Sequence, residues 1–340
     1  MPGRPSSSEP TPTPSARTRS PRGYLAPVNR APYNHPFVSV IVPVRDGEST
    51  IADCLDSILA TDYPADRREI RVIDNGSGDH TPALIRSRPV SYLREAKRGV
   101  SNARNRGIAE SNGEICAFVD ADCVVEPQWL TELVRPFEDP EVGSVGGDLQ
   151  HAPPATAAER QAARLLGNWQ RFAFTSNPAY AITANAAYRR DVLERIGPFD
   201  PHMTRAQDVE LGLRFQERSG LRLAYAKRAT ARHRHRSTQG GFFRQQLGWA
   251  YGAGLVGAKF EAMGGHPVMP PRIRDLARPL QGLAIVLWAG FRRRGRRAWI
   301  EDAWFDFLRQ LAWWIGARIG LRRGARIWRL GPEAEPDHST

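Results

Sequence analysis

Short apolar segments alternate with amphipathic ones from Phe37 onward. The run "FVSVIVPVRD" is continuous and rich in β-branched residues, which is typical of a strand buried on both faces. The next segment, "STIADCLDSILA", repeats apolar residues at helical spacing behind Ser49, a residue type that caps helices well. Together the two segments predict a strand followed by a helix.

The same alternation occurs twice more. The segment "EIRVIDNGSGDHTPALIRS" predicts a strand over residues 70–73, a glycine-rich turn and a helix that Asp79 caps. The segment "GVSNARNRGIAESNGEICAFVDADC" predicts a helix capped by Ser101 and stopped at Gly113, then another buried strand. This order predicts an α/β fold with a doubly wound, mostly parallel sheet, in which ligands bind beyond the carboxyl ends of the strands.

Two later segments also carry helical patterns. The stretch "TANAAYRRDVLERIGPFDPHMTRAQDVELGLRFQERSG" predicts a strand or turn, a helix over residues 189–196, a loop, and a helix that opens at Asp208. Near the C-terminus, "AWFDFLRQLAWWIGARIGLRRGARIWRL" predicts an amphipathic helix. Its apolar face comprises Trp304, Leu308, Leu311, Ile315 and Ile319.

Composition adds limits to this picture. With 340 residues and 41% hydrophobic content, the chain can build one large domain and an appendage. Residues 1–36 are rich in Pro and Ser and have no apolar run, which predicts a disordered tail and excludes a signal peptide there. No apolar run approaches the ~20 residues that a membrane-spanning helix needs. Three cysteines without metal-ligand spacing favour a reducing cytosol.

Positive charge is concentrated at the C-terminal end. The whole chain has a net charge of +12, and residues 271–330 contain fourteen Arg against four acidic residues. A helix with Trp and Arg suits an anionic membrane interface, although the same face could instead pack on the rest of the protein. We divide the chain into a tail (1–36), two halves of a catalytic domain (37–150 and 151–265), a basic helical region (266–330) and a second tail (331–340).

Acidic residues follow two of the predicted strands. Asp74 ends one strand, and Asp120 and Asp122 follow "ICAFV". Strand ends of a parallel sheet lie on one edge, where carboxylates could hold a hard divalent cation that carries a diphosphate. The alternative is that Asp74 and Asp79 only form a turn and that the other two carboxylates are solvated.

The order of these motifs resembles the family 2 inverting glycosyltransferases with a GT-A fold. The resemblance covers about residues 37–254 and rests on "VSVIVPVRD", "VIDNGSGDHT", "KRGVSNARNRGI", "GEICAFVDADC", "ITANAAYRRDVLERIGPFD" and "AQDVELGLR". It implies a Rossmann-like sheet flanked by helices, a nucleoside-diphosphate sugar donor, a hydroxyl acceptor and a divalent cation, Mn²⁺ or Mg²⁺.

The resemblance also implies roles for individual residues. Those near the nucleotide sugar would be Val42, Pro43, Asp46, Asp74, Arg104 and Asp120. The metal would be held by Asp122 with Asp120, and by His233 if that residue is not simply part of a solvated basic segment. Asp208 would take the proton of the acceptor hydroxyl as general base. Many relatives have Glu before this Asp, whereas this chain has Gln207.

Acceptor binding would fall to Asn185, Gln207, Gln245 and Trp249. The segment "QQLGW" resembles the Gln-x-x-Arg-Trp signature of processive relatives, but Gly248 stands at the Arg position. This departure favours transfer of a single sugar, for example to a lipid-linked or cell-surface polysaccharide precursor. The basic C-terminal region in turn predicts a peripheral enzyme on the cytoplasmic face of a membrane.

Other classes fit the sequence less well. A sugar-phosphate nucleotidyltransferase would have a glycine-rich loop after "VSVIVP", and that loop is absent. A nucleic-acid-binding protein would use the basic region, but the charge lies outside the motif-bearing part and no nucleic-acid module is recognisable. A non-catalytic nucleotide-sugar-binding protein would be expected to lack Asp122 or Asp208, and both are present.

Overall fold

The computed structural model describes residues 35–264 and 297–330, with isolated positions between 277 and 288. Its sheet has eight strands in the order β3-β2-β1-β4-β7-β6-β8-β5. The strands are β1 Val38–Val44, β2 Arg68–Asp74, β3 Ser91–Arg94, β4 Ile115–Val119, β5 Cys123–Val125, β6 Val142–His151, β7 Asn185–Arg189 and β8 Arg222–His233.

The helices lie between these strands and after them. They are α1 Ile51–Leu59, α2 Thr81–Arg86, α3 Val100–Ala109, α4 Trp129–Val134, α5 Ala157–Leu166, α6 Trp169–Thr175, α7 Arg190–Ile196, α8 Gln207–Arg218, α9 Gln239–Ala262 and α10 Arg297–Leu330. Two short 3₁₀ helices cover Ala65–Arg67 and Arg135–Glu138.

The first half confirms the predicted α/β fold. Strands β3, β2, β1 and β4 are parallel neighbours, and each connection between them contains a helix. All seven residues of β1 are buried, as the continuous apolar run predicts. The carboxyl ends of these strands therefore share one edge of the sheet.

The second half makes the sheet mixed. Strand β7 pairs antiparallel with β4 and β6, β8 runs parallel to β6, and β5 closes the edge antiparallel to β8. The helices predicted over 189–196 and from Asp208 are present as α7 and α8. Leu211 and Phe215 of α8 are buried in the core, as their spacing predicts.

Two predicted helix caps are wrong. Helix α1 begins after Thr50 rather than Ser49, and no side chain caps it. Helix α3 begins after Gly99, so Ser101 lies within the helix, where its hydroxyl donates to Met203 O at 2.8 Å. The Asp79 prediction is close, because its Oδ1 accepts from Thr81 N at the start of α2.

Helix α10 packs along α9 through small residues. A Cβ on Gly316 would overlap Leu247 O, and one on Gly320 would overlap Tyr251 O, so neither position has room for a side chain. The buried seam is Ala312, Gly316, Gly320 and Gly324, beside the predicted apolar face rather than on it. Ile319 of that predicted face is 51% exposed.

Some sequence predictions fall on residues that are not described. These are the tail before His35, the C-terminal tail over 331–340, and most of the basic stretch between α9 and α10. No helix within the described residues is long and apolar enough to cross a membrane.

Candidate active site

Asp74 and Asp120 lie on the same edge of the sheet. Asp74 is the last residue of β2, and Asp120 follows β4, so both come from carboxyl ends of neighbouring parallel strands. The Asp74 carboxylate is buried and accepts hydrogen bonds from Ser77 N and the Tyr92 hydroxyl, each at 2.9 Å. These bonds fix its orientation at the start of the glycine-rich turn.

The loop after β1 is tied to that turn. Asp46 is exposed and has a left-handed backbone (φ 51°), and its Oδ1 accepts from Gly78 N at 2.9 Å. In return, Asp46 N donates to the Ser77 hydroxyl at 2.9 Å. Val42 and Pro43 are buried inside β1, so they contribute to the core under the carboxyl ends of the strands rather than to the surface.

Arg104 is a buried cation at the centre of the site. It projects from α3, and its Nη2 donates to Asp120 Oδ1 at 2.8 Å. Helix α3 is held against the loop before α8 because Asn105 exchanges two hydrogen bonds with the Phe199 main chain. This arrangement brings the first half of the sheet to α8.

Asp208 is the second residue of α8 and is half-buried. Burial raises the pKa of its carboxyl, while the charge of Arg104 opposes that shift. A carboxyl whose pKa is raised holds a proton more readily, which suits a general base. The preceding Ala206 has φ 55°, and it shares this left-handed conformation only with Asp46 among the described residues other than glycine. Such outliers cluster at functional sites.

Asp122 and His233 form a candidate metal centre. The two face each other because Cys123 pairs with His233 across β5 and β8, and Asp122 Oδ1 lies 3.4 Å from His233 Nε2. Asp122 Oδ1 is buried and accepts no hydrogen bond. A carboxylate oxygen and an imidazole nitrogen are ligands that Mn²⁺ accepts, so these residues fit the implied cation.

The candidate metal centre has two possible ligands, Asp122 and His233, among the described residues. The described residues contain no group of three candidate ligands, and Asp120 is bound to Arg104 instead of joining Asp122 and His233. Beyond the described residues' own two candidate ligands, a bound molecule could supply further ones. A diphosphate could supply them.

Imidazole and indole rings pack beside Asp122. His151 and His235 share a hydrogen bond of 2.7 Å, and Trp169 lies against His233 and Trp249 with ring centroids 5.3 and 5.1 Å apart. Burial lowers the pKa of His235 to about 3, and the other two imidazoles add to the shift. His235 is therefore neutral at physiological pH. Nothing in the sequence pattern marked Trp169 or His151.

The predicted acceptor residues differ in their surroundings. Gln207 Nε2 and Gln245 Oε1 are buried without a hydrogen-bond partner, so Gln207 can donate a hydrogen bond to a ligand and Gln245 can accept one. Asn185 is fully buried, and its side chain bonds Trp129 Nε1, Asp148 O and Ala229 O, each at 2.8 Å. Asn185 thus holds β7 to its neighbours, and its amide is already satisfied by the protein.

The sheet order and this strand-end site define the GT-A class of fold. Residues 39–197 match the family model described as glycosyl transferase family 2. The glycosyltransferase AglE of Haloferax volcanii is 36% identical over 199 residues, which are 56% of this chain and 64% of that protein. The probable glycosyltransferase YdaM of Bacillus subtilis is 28% identical over 250 residues, 67% of this chain and 57% of that protein.

A solved structure has the same fold. The mannosyltransferase PcManGT of Pyrobaculum calidifontis, determined in complex with GDP-Man and Mn²⁺, superposes with a TM-score of 0.56 at 22% identity, covering 85% of this chain and 90% of that one. Over residues 39–197 the chain is similar in sequence to the glycosyltransferases of family 2. It spans less than two thirds of either curated relative, 64% and 57%.

Proposed function

We propose that this protein transfers one sugar from a nucleoside-diphosphate sugar to an acceptor hydroxyl with inversion at the anomeric carbon. The observation that carries the proposal is the position of Asp208. Asp208 lies in the first turn of α8, and burial raises the pKa of its carboxyl. The charge of Arg104, which also binds Asp120, opposes that rise. These features support Asp208 as the general base for a donor bound at the carboxyl ends of the strands.

Each residue has a separate task in this reaction. Asp208 takes the proton of the acceptor hydroxyl, so that the oxygen can attack the anomeric carbon. Arg104 keeps Asp120 in place, while Asp74 and Asp46 shape the nucleotide end of the edge. Asp122 and His233 would hold Mn²⁺ or Mg²⁺, which when bound neutralises charge on a departing diphosphate. A single displacement inverts the configuration.

The test is a screen of UDP-, GDP- and dTDP-sugars for hydrolysis and transfer, with Mn²⁺, Mg²⁺ or chelator. We expect one nucleotide class to be turned over only with metal. Proton NMR of the first-formed product then gives its anomeric configuration. Retention of configuration, or equal rates in Asp208→Asn and the unaltered protein, would contradict the proposal.

We also propose that α10 attaches the enzyme to an anionic membrane surface, on the cytoplasmic side, where a lipid-linked acceptor would be presented. Its small-residue seam is occupied by α9, which leaves a neighbouring stripe of Leu311, Ile315 and Ile319 only partly covered. Exposed Arg322 and Arg326 continue that stripe toward the C-terminus. An apolar stripe with adjoining arginines matches the two attractions of a phospholipid interface.

A further inference from the structure

Arg205 lies in a notch on α9 that two glycines create. A Cβ on Gly248 would lie 3.1 Å from Arg205 Nε and 3.5 Å from its Cζ. One turn later, a Cβ on Gly252 would lie 2.8 Å from Arg205 Cβ and 2.9 Å from Ala206 Cβ. The absence of side chains at both positions lets the loop before α8 approach α9.

This notch relates directly to the "QQLGW" segment. Gly248 stands where the Gln-x-x-Arg-Trp signature has arginine, and the guanidinium that contacts this position belongs to Arg205. The chain thus presents an arginine at this point of α9, but from the loop that leads into the Asp208 helix.

The charge of Arg205 is not balanced by a nearby acid. Within the described part of the chain it has no ion pair or hydrogen bond with an acidic residue, and Arg236 is close enough for its charge to lower the pKa of Arg205, after the larger effect of reduced hydration. Arg236 Nη2 itself lies 3.9 Å from Asp122 Oδ2, beyond hydrogen-bond distance. The two arginines lie along one face of α9, because a Cβ on Gly241 would be 3.1 Å from Arg236 Cβ and Gly248, which faces Arg205, is two turns further along the helix. Both arginines are exposed to solvent.

Two like charges on one face of a helix repel each other, and an anion bound between them relieves that repulsion. Planar guanidiniums bind phosphate oxygens through paired N–H donors, and such charge-assisted bonds are strong. We propose that Arg205 and Arg236 form a phosphate-binding site between the metal centre and α9. The inference rests on the proposed function, because the phosphate would belong either to the donor diphosphate or to a phosphorylated acceptor.

Calorimetry can test this site without any sugar transfer. The first titration adds inorganic pyrophosphate with Mn²⁺ to the full chain, and the second adds inorganic phosphate to protein saturated with Mn²⁺ and the nucleoside diphosphate that binds best. The variants are Arg205→Gln and the exchange Arg205→Ala with Gly248→Arg. Arg218→Gln is the control, since Arg218 is an exposed arginine at the other end of α8 that pairs with Glu217.

We expect Arg205→Gln to weaken one titration by about tenfold to a hundredfold, the loss typical of a charged hydrogen bond. The exchange variant should recover much of that loss, and Arg218→Gln should stay within twofold. A loss in the pyrophosphate titration assigns the site to the donor, and a loss confined to the second titration assigns it to an acceptor phosphate.

If neither titration changes by more than twofold in Arg205→Gln, or if the unaltered protein binds neither anion, the inference is wrong. Failure of the proposed function would look different. Pyrophosphate would still bind in an Arg205-dependent manner while no nucleotide sugar was turned over.

Discussion

Arg104 acts on two carboxylates, Asp120 at the end of β4 and Asp208 on α8 in the second half of the chain. Its Nη2 donates to Asp120 Oδ1 at 2.8 Å, and its charge lowers the pKa of the Asp208 carboxyl against the effect of burial. One buried cation therefore both fixes the Asp120 carboxylate and moderates the pKa of Asp208, the proposed base. Arg104 Nε has no hydrogen-bond partner, so the guanidinium retains a free donor toward a ligand.

Replacing Arg104 should shift the pH dependence of transfer. In Arg104→Gln the Asp208 carboxyl loses the charge that lowers its pKa, so the pKa rises further. Transfer needs the ionised base, and we expect the acidic limb of the rate profile to move to higher pH. The control is Arg106→Gln on the same helix, because Arg106 is exposed and pairs with Glu110. An unmoved limb in Arg104→Gln would argue against Asp208 as the titrating base.

Asp208→Asn should raise the stability of the fold at neutral pH while lowering the transfer rate. The pKa of Asp208 is raised by folding, so its ionisation lowers stability as the pH rises above the ordinary value of 3.8, and the cost persists at neutral pH. Asparagine does not ionise. We expect a higher melting temperature for the variant at pH 7, with the difference vanishing below pH 3.8.

The same variant should lose about 10²–10⁴-fold in transfer rate, which is the usual contribution of a general base. Donor binding should persist, because the amide keeps the shape of the carboxyl. A variant that is neither more stable at pH 7 nor slower in transfer would make Asp208 an ordinary helix residue.

Asp122→Ala should remove metal-dependent nucleotide binding without unfolding the protein. The Asp122 carboxylate is partly exposed, and the main-chain bond from Arg234 N to Asp122 O is unaffected by the change. Calorimetry with UDP, GDP and dTDP, with and without Mn²⁺, measures the effect. Asp53→Ala serves as control, since Asp53 is an exposed residue of α1 that pairs with Arg234 at the surface. Equal metal-dependent affinity in Asp122→Ala would exclude this residue as a ligand.

A buried ionic group anchors the Asp208 helix to α9. Lys259 Nζ donates to Asp200 Oδ2 at 2.5 Å and to Glu210 Oε1 at 2.7 Å, and Arg214 holds the same Glu210 carboxylate through two bonds of 2.7 Å. Glu210 is only two residues after Asp208. Lys259 also lies 5.7 Å from the Trp328 ring centroid on α10.

Lys259→Met should therefore destabilise the fold by about 3 kcal/mol, because it leaves a buried carboxylate without its partner. The carboxylate that loses its ionic partner is that of Asp200, which is mostly buried, because Arg214 still binds Glu210. Urea unfolding measures the change, and Lys227→Met at an exposed position of β8 is the matched control. A loss of less than about 0.5 kcal/mol, the size of an ordinary surface substitution, would mean that the network contributes nothing to stability.

Local patterns predicted the first half of the fold well. The strands β1, β2 and β4 and the acids that follow them are encoded by contiguous apolar runs and their endings, which need no distant information. The long strand β8 was not predicted, because "RLAYAKRATARH" is basic and has partly exposed positions that mask the alternation.

The features that were missed depend on distant contacts. The surroundings of Arg205 depend on Gly248 and Gly252, which are distant from it in sequence. The ion pairs of Lys259 likewise depend on the distant residues Asp200 and Glu210. The glycine seam of α10 was overlooked for a related reason. Small residues contribute little to a hydrophobic pattern, although they determine how closely two helices approach.

The membrane proposal leads to a liposome experiment that the fold constrains. Truncation before residue 271 would remove α10 and expose the seam of α9, so surface substitutions are the better variants. We expect the full chain to co-sediment with anionic liposomes at low salt and to bind less at high salt, because each basic residue near the surface contributes about 1 kcal/mol that ions screen.

Two variants then separate the electrostatic from the apolar attraction. Arg322→Gln with Arg326→Gln should reduce binding on anionic lipid, whereas Ile319→Ser should reduce it at every salt concentration, because an apolar contact is not screened. Arg195→Gln with Arg218→Gln changes the net charge equally at exposed positions outside α10 and is the control. If the full chain stays in the supernatant with anionic liposomes at low salt, or if the control pair reduces binding as much as the α10 pair does, α10 serves only to pack against α9.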